Sequence, residues 1–385
     1  MRMTQRLRWL AISVVLALTL AACNGSSADT TLAAGEGTAP TEENGDGGSG
    51  AAPECSVDEV DGPLNFYNWS DYIDPDLITA FEEQYDVDVV ETFYDSNETM
   101  IAQIQAGVVY DLIVPSDYMV AILIEEGMIA PLNKDAIPNI ENVSEQFQGL
   151  YYDETFSYSV PYQWGTTGLG VNLSVLGTDF PRSWALVFDP ELTASYPSGV
   201  SLLNDPRETI GAALIYLGYS LNETSEDALQ EAADLIRASN VTTFDSDQYP
   251  DNLVNGEVPV SHGYSGNFFT TFAETENPDN WEYVIPEEGA TLWVDNLAIP
   301  TAADHPCTAH TFINFLLDAE NGAQLSEWTL YATPNAAAEE LLDPEIREDP
   351  AIYPDDETFE RLETIQDQGD AEILYTDYFN MARGG

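Results

Sequence analysis

The chain has 385 residues, 44% of them apolar and 11% aromatic, which is enough for one or two packed domains and excludes disorder throughout. Ten Lys and Arg stand against 68 Asp and Glu, a formal charge of -58. Nucleic acid and anionic lipid surfaces are excluded as partners, because binding either requires clustered cations.

Arg2, Arg6 and Arg8 lead into an apolar run from Trp9 to Ala22. A charged start before an apolar stretch too short for a stable membrane span predicts a secretory signal over residues 1–22. The stretch ends Leu20-Ala21-Ala22-Cys23, which resembles the lipobox where bacterial signal peptidase cuts before a lipid-modified cysteine. Cys23 is then the expected lipidation site, and its acyl chains are the only expected contact with a membrane, on the cell surface or in the periplasm. A plain secretory signal is the alternative. Residues 23–54 are Gly, Ser, Thr, Ala and acid with scarcely a large apolar side chain, and read as a flexible tether. Cys55 and Cys307 remain as a disulfide candidate in an oxidising compartment, with two separate buried thiols as the alternative.

In the body, Leu64 to Trp69 alternates and stops at Ser70-Asp71, and Pro75 then opens an amphipathic run through Leu77, Ile78, Phe81 and Tyr85. That pattern predicts a strand followed by a helix. Val87 to Tyr94 reads as a strand, Glu98 to Ala106 as a helix, and Asp111 to Pro115 as a short buried strand ending at a Ser116-Asp117-Tyr118 turn. Alternation of this kind predicts a parallel-rich sheet with ligand beyond the carboxyl ends of its strands, where Ser70, Asp71, Ser116, Asp117 and Tyr118 fall. Tyr158 to Asn172 is extended and glycine-rich, suited to crossing between two lobes, and Thr291 to Pro300 reads as the return crossing. A helix is expected at Asp227 to Ser239.

Catalytic patterns find little support. Gly263-Tyr-Ser-Gly-Asn267 lacks the closing glycine of a nucleophile elbow, and no Walker lysine or dinucleotide fingerprint occurs. His262, His305 and His310 do not form a zinc motif, and the last two are expected as cap or helix-surface residues. Aromatic residues do stand beside acids at strand ends, as in Trp69-Ser70-Asp71-Tyr72, Asp117-Tyr118 and Trp293-Val294-Asp295. An organic polyamine suits that combination, because each ammonium takes a carboxylate while the methylenes take aromatic faces. A solvated acid beside a core aromatic is the alternative for any single pair.

At these residues the chain resembles the spermidine/putrescine-binding proteins of polyamine ABC transporters, a branch of the type II periplasmic binding proteins. The blocks that carry the likeness are Phe66 to Tyr72, Tyr94 to Met100, Tyr110 to Ser116, Val160 to Gly165, Leu292 to Pro300 and Ala332 to Asn335. The resemblance implies an α/β fold of two lobes, each a mixed, mostly parallel sheet flanked by helices, closing about hinge crossing strands. Residues 55–164 and 291–335 would form the first lobe, residues 165–290 the second, and 336–385 C-terminal helices packing mainly on the second. Trp69, Ser70, Asp71 and Tyr72 match the family's first ligand-contacting segment, and Tyr118 and Tyr331 match aromatic walls. Asp205 and Glu208 match acids that meet ammonium groups from the second lobe. Trp293 matches a ring packed on the methylenes, Asp295 the acid anchoring an ammonium at the cleft centre, and Gln366 a further contact across a gap in spacing. Tyr264 stands where spermidine-type members carry tryptophan, and Asp71 where they carry glutamate.

The resemblance therefore implies a non-catalytic, monomeric receptor without cofactor or metal that delivers spermidine, and also putrescine, to ABC permease subunits. A receptor of the same fold for an opine, a sugar or an iron complex is the main alternative. A secreted hydrolase using an Asp/Glu pair and an extracytoplasmic sensor complete the set.

Overall fold

A computed structural model describes residues 51–384, so the signal segment, Cys23 and most of the tether lie outside the described residues. Strand β1, Leu64–Trp69, is followed by helix Pro75–Tyr85, whose Asp74 cap accepts the Asp76 amide and whose proline occupies the first turn. Strand β2 is Val89–Tyr94, helix Asn97–Gln105 is capped by Ser96, and β3 is the short Leu112–Ile113 before helix Asp117–Glu125. Strand β4, Ser159–Asn172, is buried at every position. Then come β5 (Val200–Leu202), helices Pro206–Tyr216 and Glu226–Ala238, β6 (Val241–Phe244) and β7 (Val260–Tyr264). Strands β8 (Trp281–Val284) and β9 (Thr291–Ala298) follow, and helices Pro306–Leu316, Ala319–Thr329 and Glu372–Ala382 lie in the remainder.

The strands run in the order β2-β1-β3-β9-β4-β7-β5-β6, with β8 on β4. Pairing is parallel in the outer wings, β2-β1-β3 and β7-β5-β6 apart from its β7 contact with β4, and antiparallel in the centre, where β4 meets β9, β7 and β8. Strand β4 serves two cores. Its Val160, Tyr162 and Trp164 pack with Phe66, Phe81 and Phe312, whereas Leu169 and Val171 pack with Leu202, Ile210, Leu229 and Val260. The crossing strands thus join two hydrophobic centres, and the ends of the wing strands face each other across that join.

The C-terminal stretch divides its packing instead of lying mainly on the second wing. Ala338 and Leu342 pack on Ala323 and Ile352 joins the first core, whereas Ile365, Tyr375 and Phe379 belong to the second. Small residues decide the first contact, since a Cβ on Gly322 would lie 3.0 Å from the Ala338 methyl. Cys55 and Cys307 form a disulfide bond that fastens the first described residues to helix Pro306–Leu316.

His310 is buried, not on the helix surface as expected. Its Nε2 accepts the Asn133 amide at 2.9 Å and its Nδ1 lies 2.6 Å from the Pro306 carbonyl, so both ring nitrogens are satisfied within the core. His305 occupies the cap position of the same helix, with its ring beside the buried Asp111. His262 is a core residue edge-on to Trp184, and burial pushes its ring down to about 3, keeping it neutral.

Candidate ligand-binding site

The site is built around Asp295 on β9. The bridge between Ser116 and Asp295 continues the short β3 pairing, and it lets the Ser116 hydroxyl donate to Asp295 Oδ1 at 2.6 Å. From the loop after β1, the Tyr72 hydroxyl donates to Oδ2 at 2.8 Å. Burial raises the Asp295 carboxyl to about 6, and these two donors oppose the shift. A buried carboxylate held by neutral donors only is short of positive charge, and an ammonium would supply it.

Aromatic side chains surround this acid. Trp293, two residues back on the same face of β9, stands edge-on to Tyr331 at 5.0 Å and to Tyr264 at 6.2 Å. Tyr331 in turn meets Tyr72 at 5.4 Å, and its hydroxyl donates to Asn267 at 2.7 Å. The rings approach the backbone so closely that glycine is required below two of them. A Cβ on Gly165 would lie 2.6 Å from the Trp293 ring, and one on Gly266 would lie 2.6 Å from the Tyr331 ring.

A second acid lies toward the other wing. Asp205 caps helix Pro206–Tyr216, accepting the amides of Arg207 and Glu208, and this places Glu208 one turn inside the helix. Glu208 is buried, and its two oxygens accept from Thr167 at 2.9 Å and Thr291 at 2.8 Å. Those threonines are register partners on β4 and β9. Burial raises the Glu208 carboxyl to about 8, helped by the charge of Asp205 and opposed by the threonine hydroxyls and Arg207. Arg207 itself is committed: its guanidinium pairs with Glu372, donates to the Gln366 carbonyl at 3.1 Å and to Asn222 at 2.9 Å, and lies over the Tyr375 ring.

The remaining expected site residues take several positions. Tyr118 packs against the second core and against a smaller first-wing cluster that holds Tyr94, Met119 and Val120, and its hydroxyl donates to Glu98 at 3.1 Å. Trp69 donates its indole N–H to the Val114 carbonyl at 2.9 Å and tilts against Tyr94. Ser70 and Asp71 are exposed, and Asp71 adopts a left-handed backbone with φ 53° at the turn after β1. Gln366 enters only through its backbone, which bonds Arg207 and Asn222, while its side chain belongs to an exposed residue. The sequence places Ser116 at a ligand-facing strand end but gives no sign of its bond to Asp295, and it assigns no role to Thr167, Thr291 or Asn267. The available signal was the pair of inward threonines on the two crossing strands.

Two wings joined by long crossing strands, with buried acids and aromatic faces meeting where they join, define the class of extracytoplasmic solute-binding proteins. The profile of the family described as bacterial extracellular solute-binding protein matches residues 76–354, and the chain belongs to that family. A spermidine/putrescine-binding periplasmic protein of Salmonella typhimurium is 36% identical over 326 residues, covering 84% of this chain and 92% of that protein. The solved structure of a spermidine/putrescine ABC transporter substrate-binding protein from Streptococcus pneumoniae matches with a TM-score of 0.72 at 34% identity, covering 84% of this chain and 99% of that one. A lipoprotein of Treponema pallidum matches with a TM-score of 0.73 at 32% identity, over 84% of this chain and 99% of that one. The fold is therefore the α/β fold of periplasmic binding proteins, and the chain binds a solute outside the cytoplasm without transforming it.

Proposed function

We propose that this protein captures a polyamine, spermidine with putrescine as a second ligand, and delivers it to the permease of an ABC transporter. The observation that carries the reading is Asp295, buried and held only by neutral hydroxyls, with Trp293, Tyr331 and Tyr72 around it and Glu208 toward the other wing. An ammonium at Asp295 gains a charged hydrogen bond of about 1.5–3 kcal/mol, and each cation over a ring gains about 0.5–2 kcal/mol. Methylenes lie on the rings, and a second ammonium reaches Asp205 and Glu208. Residues 55–164 and 291–335 act as one lobe and 165–290 as the other, with Trp69, Ser70, Asp71, Tyr72 and Tyr118 contributed by the first lobe and Tyr264 by the second, and with Gln366 beside the second. Ligand stabilises the closed arrangement by as much as it prefers that arrangement. The likeness to polyamine-binding proteins supports the choice of ligand and of transporter.

Lipidation of Cys23 holds the receptor at the membrane, a reading supported by the lipobox-like sequence and by the Treponema lipoprotein, and the receptor acts there as a monomer. Cys23→Ser is expected to move the protein from the membrane fraction to the soluble one, and retention on membranes would remove the lipid from the account. Equilibrium dialysis with labelled spermidine tests capture itself. One saturable site per chain, competed by putrescine and not by a neutral sugar, is expected; no saturable uptake would overturn the function.

Binding and folding should respond to pH in opposite directions. Asp295, raised from 3.8 to about 6, and Glu208, raised from 4.5 to about 8, hold protons in the folded chain that the unfolded chain releases. Stability of the ligand-free protein therefore falls as pH rises between about 4 and 8, since the folded state binds the extra protons. An ammonium needs the same groups ionised, so affinity rises over that window. Thermal melting should show a larger stabilisation by spermidine at about pH 8 than at about pH 5.5. Equal shifts at the two pH values would contradict the assignment of these acids to the ligand.

A further inference from the structure

We propose that Gln163 is a positioning residue of the ligand site, a buried amide that sets where Tyr72 and Tyr331 stand around Asp295. The inference rests on the polyamine reading above and extends it to how the site is held in shape. Gln163 is 1% exposed and lies on β4 as the register partner of Asp295 on β9. Its Nε2 donates to the Tyr72 carbonyl at 3.3 Å, and its Oε1 accepts the Thr329 hydroxyl at 2.5 Å. A carbonyl can only accept, so a single orientation of the amide serves both partners. The Tyr162 hydroxyl donates to the same Tyr72 carbonyl at 2.9 Å.

Consecutive side chains of a regular strand point to opposite faces and could not share an acceptor. The pairing of β4 with β9 shifts between Pro161 and Gln163, leaving Tyr162 without a partner on β9, and this bulge lets both side chains reach one carbonyl. At the far ends of these contacts stand two rings of the site. Tyr72 carries its hydroxyl to Asp295 Oδ2, and the Thr329 hydroxyl oxygen accepts the Tyr331 amide at 3.4 Å. Each ring follows a residue with a left-handed backbone, Asp71 at φ 53° and Leu330 at φ 55°. Residues other than glycine keep that conformation only where their surroundings impose it, and Gln163 bonds both segments from a strand to which neither belongs.

Loss of the amide frees the Tyr72 carbonyl from one of its two donors and loosens the hydroxyl that holds Asp295. That hydroxyl opposes the upward push of burial on the Asp295 carboxyl. Besides Ser116 and Tyr72, the groups that act on Asp295 are the phenols of Tyr94, Tyr162 and Tyr331 and the carboxyl of Asp117, none of them a cation. A weaker Tyr72 bond therefore moves ionisation of Asp295, and ammonium binding with it, to higher pH.

The test is calorimetric titration of the full chain with spermidine from about pH 5.5 to about pH 8. Gln163→Met keeps the length of the side chain and removes both of its hydrogen bonds. It should weaken spermidine about tenfold near pH 6 and less at pH 8, with the midpoint of the pH dependence raised by about 0.5–1 pH unit. Tyr72→Phe should cost this variant no more than about a third of the fold-loss it costs the wild type, because the hydroxyl is already misplaced. Unchanged affinity, a loss equal at every pH, or an equal cost of Tyr72→Phe in the two backgrounds would overturn the proposal, the second outcome marking a packing role. Should Gln163→Met fail to fold, Tyr162→Phe decides, since it keeps the ring and removes the other donor to the Tyr72 carbonyl. It should weaken spermidine about threefold with the same upward movement in pH, and a pH dependence like that of the wild type overturns the proposal. Wild-type protein that binds no amine would instead overturn the function on which the proposal rests.

Discussion

Replacement of Asp295 by asparagine is expected to reduce spermidine affinity by about a hundredfold or more while leaving the protein folded. The carboxyl is buried and its partners are the hydroxyls of Ser116 and Tyr72, both of which can rotate to serve an amide. What is lost is charge. An ammonium taken out of water and left without its anion costs about 3–5 kcal/mol, which sets the expected factor. Glu360, an exposed acid, is the control, and Glu360→Gln should change affinity by less than about twofold. Calorimetry on the two variants decides the matter: similar effects from both would mean that the protein's large acid excess, and not this particular carboxyl, attracts the ligand.

The second large effect concerns stability. The Cys55–Cys307 bond joins residues 252 apart in sequence, so its loss frees a long loop in the unfolded chain. A loop of that size corresponds to about 5.5 kcal/mol in the chain-entropy account, and native disulfides typically contribute about 2–5 kcal/mol. Non-covalent ties remain at the same place, since Thr308 bonds Asp61 and Gly62 and the Asn133 amide side chain bonds the carbonyls of Pro53 and Cys55. Cys55→Ser is therefore expected to fold but to melt about 5–10 °C lower than the oxidised wild type. Wild-type protein in reductant should melt near the variant. A midpoint within about one degree of the oxidised protein would show that those ties suffice without the bond.

The strands and crossings were legible because their signals are local. Alternation over Leu64–Trp69 and the buried Leu112–Ile113 mark strand ends, and the extended, glycine-rich run that became β4 marks a crossing. Asp295 and Trp293 could be named because an acid two residues from a tryptophan lies on the same face of a strand. The partners of these acids were hidden by sequence distance. Ser116 meets Asp295 across 179 positions and Thr291 meets Glu208 across 83. Asp117 was visible at a strand end, but 68 acids make any single carboxyl inconspicuous, and only burial separates it from a solvated one. His310 misled because both of its partners, a carbonyl one turn back and the amide of Asn133, appear only when the loop is folded against the helix. The C-terminal stretch divided between two cores because Ala338 is small enough to pack on Gly322, a contact that hydrophobic periodicity does not report.

The most direct measurement is calorimetric titration of the protein in salt-containing buffer with putrescine, spermidine, spermine, a neutral sugar and ferric citrate. One-to-one binding of spermidine, weaker binding of putrescine, and loss of both in Asp295→Asn are the predicted results. Heat from the sugar or the iron complex and none from any amine would keep the solute-binding fold and contradict every ammonium role assigned to the cleft.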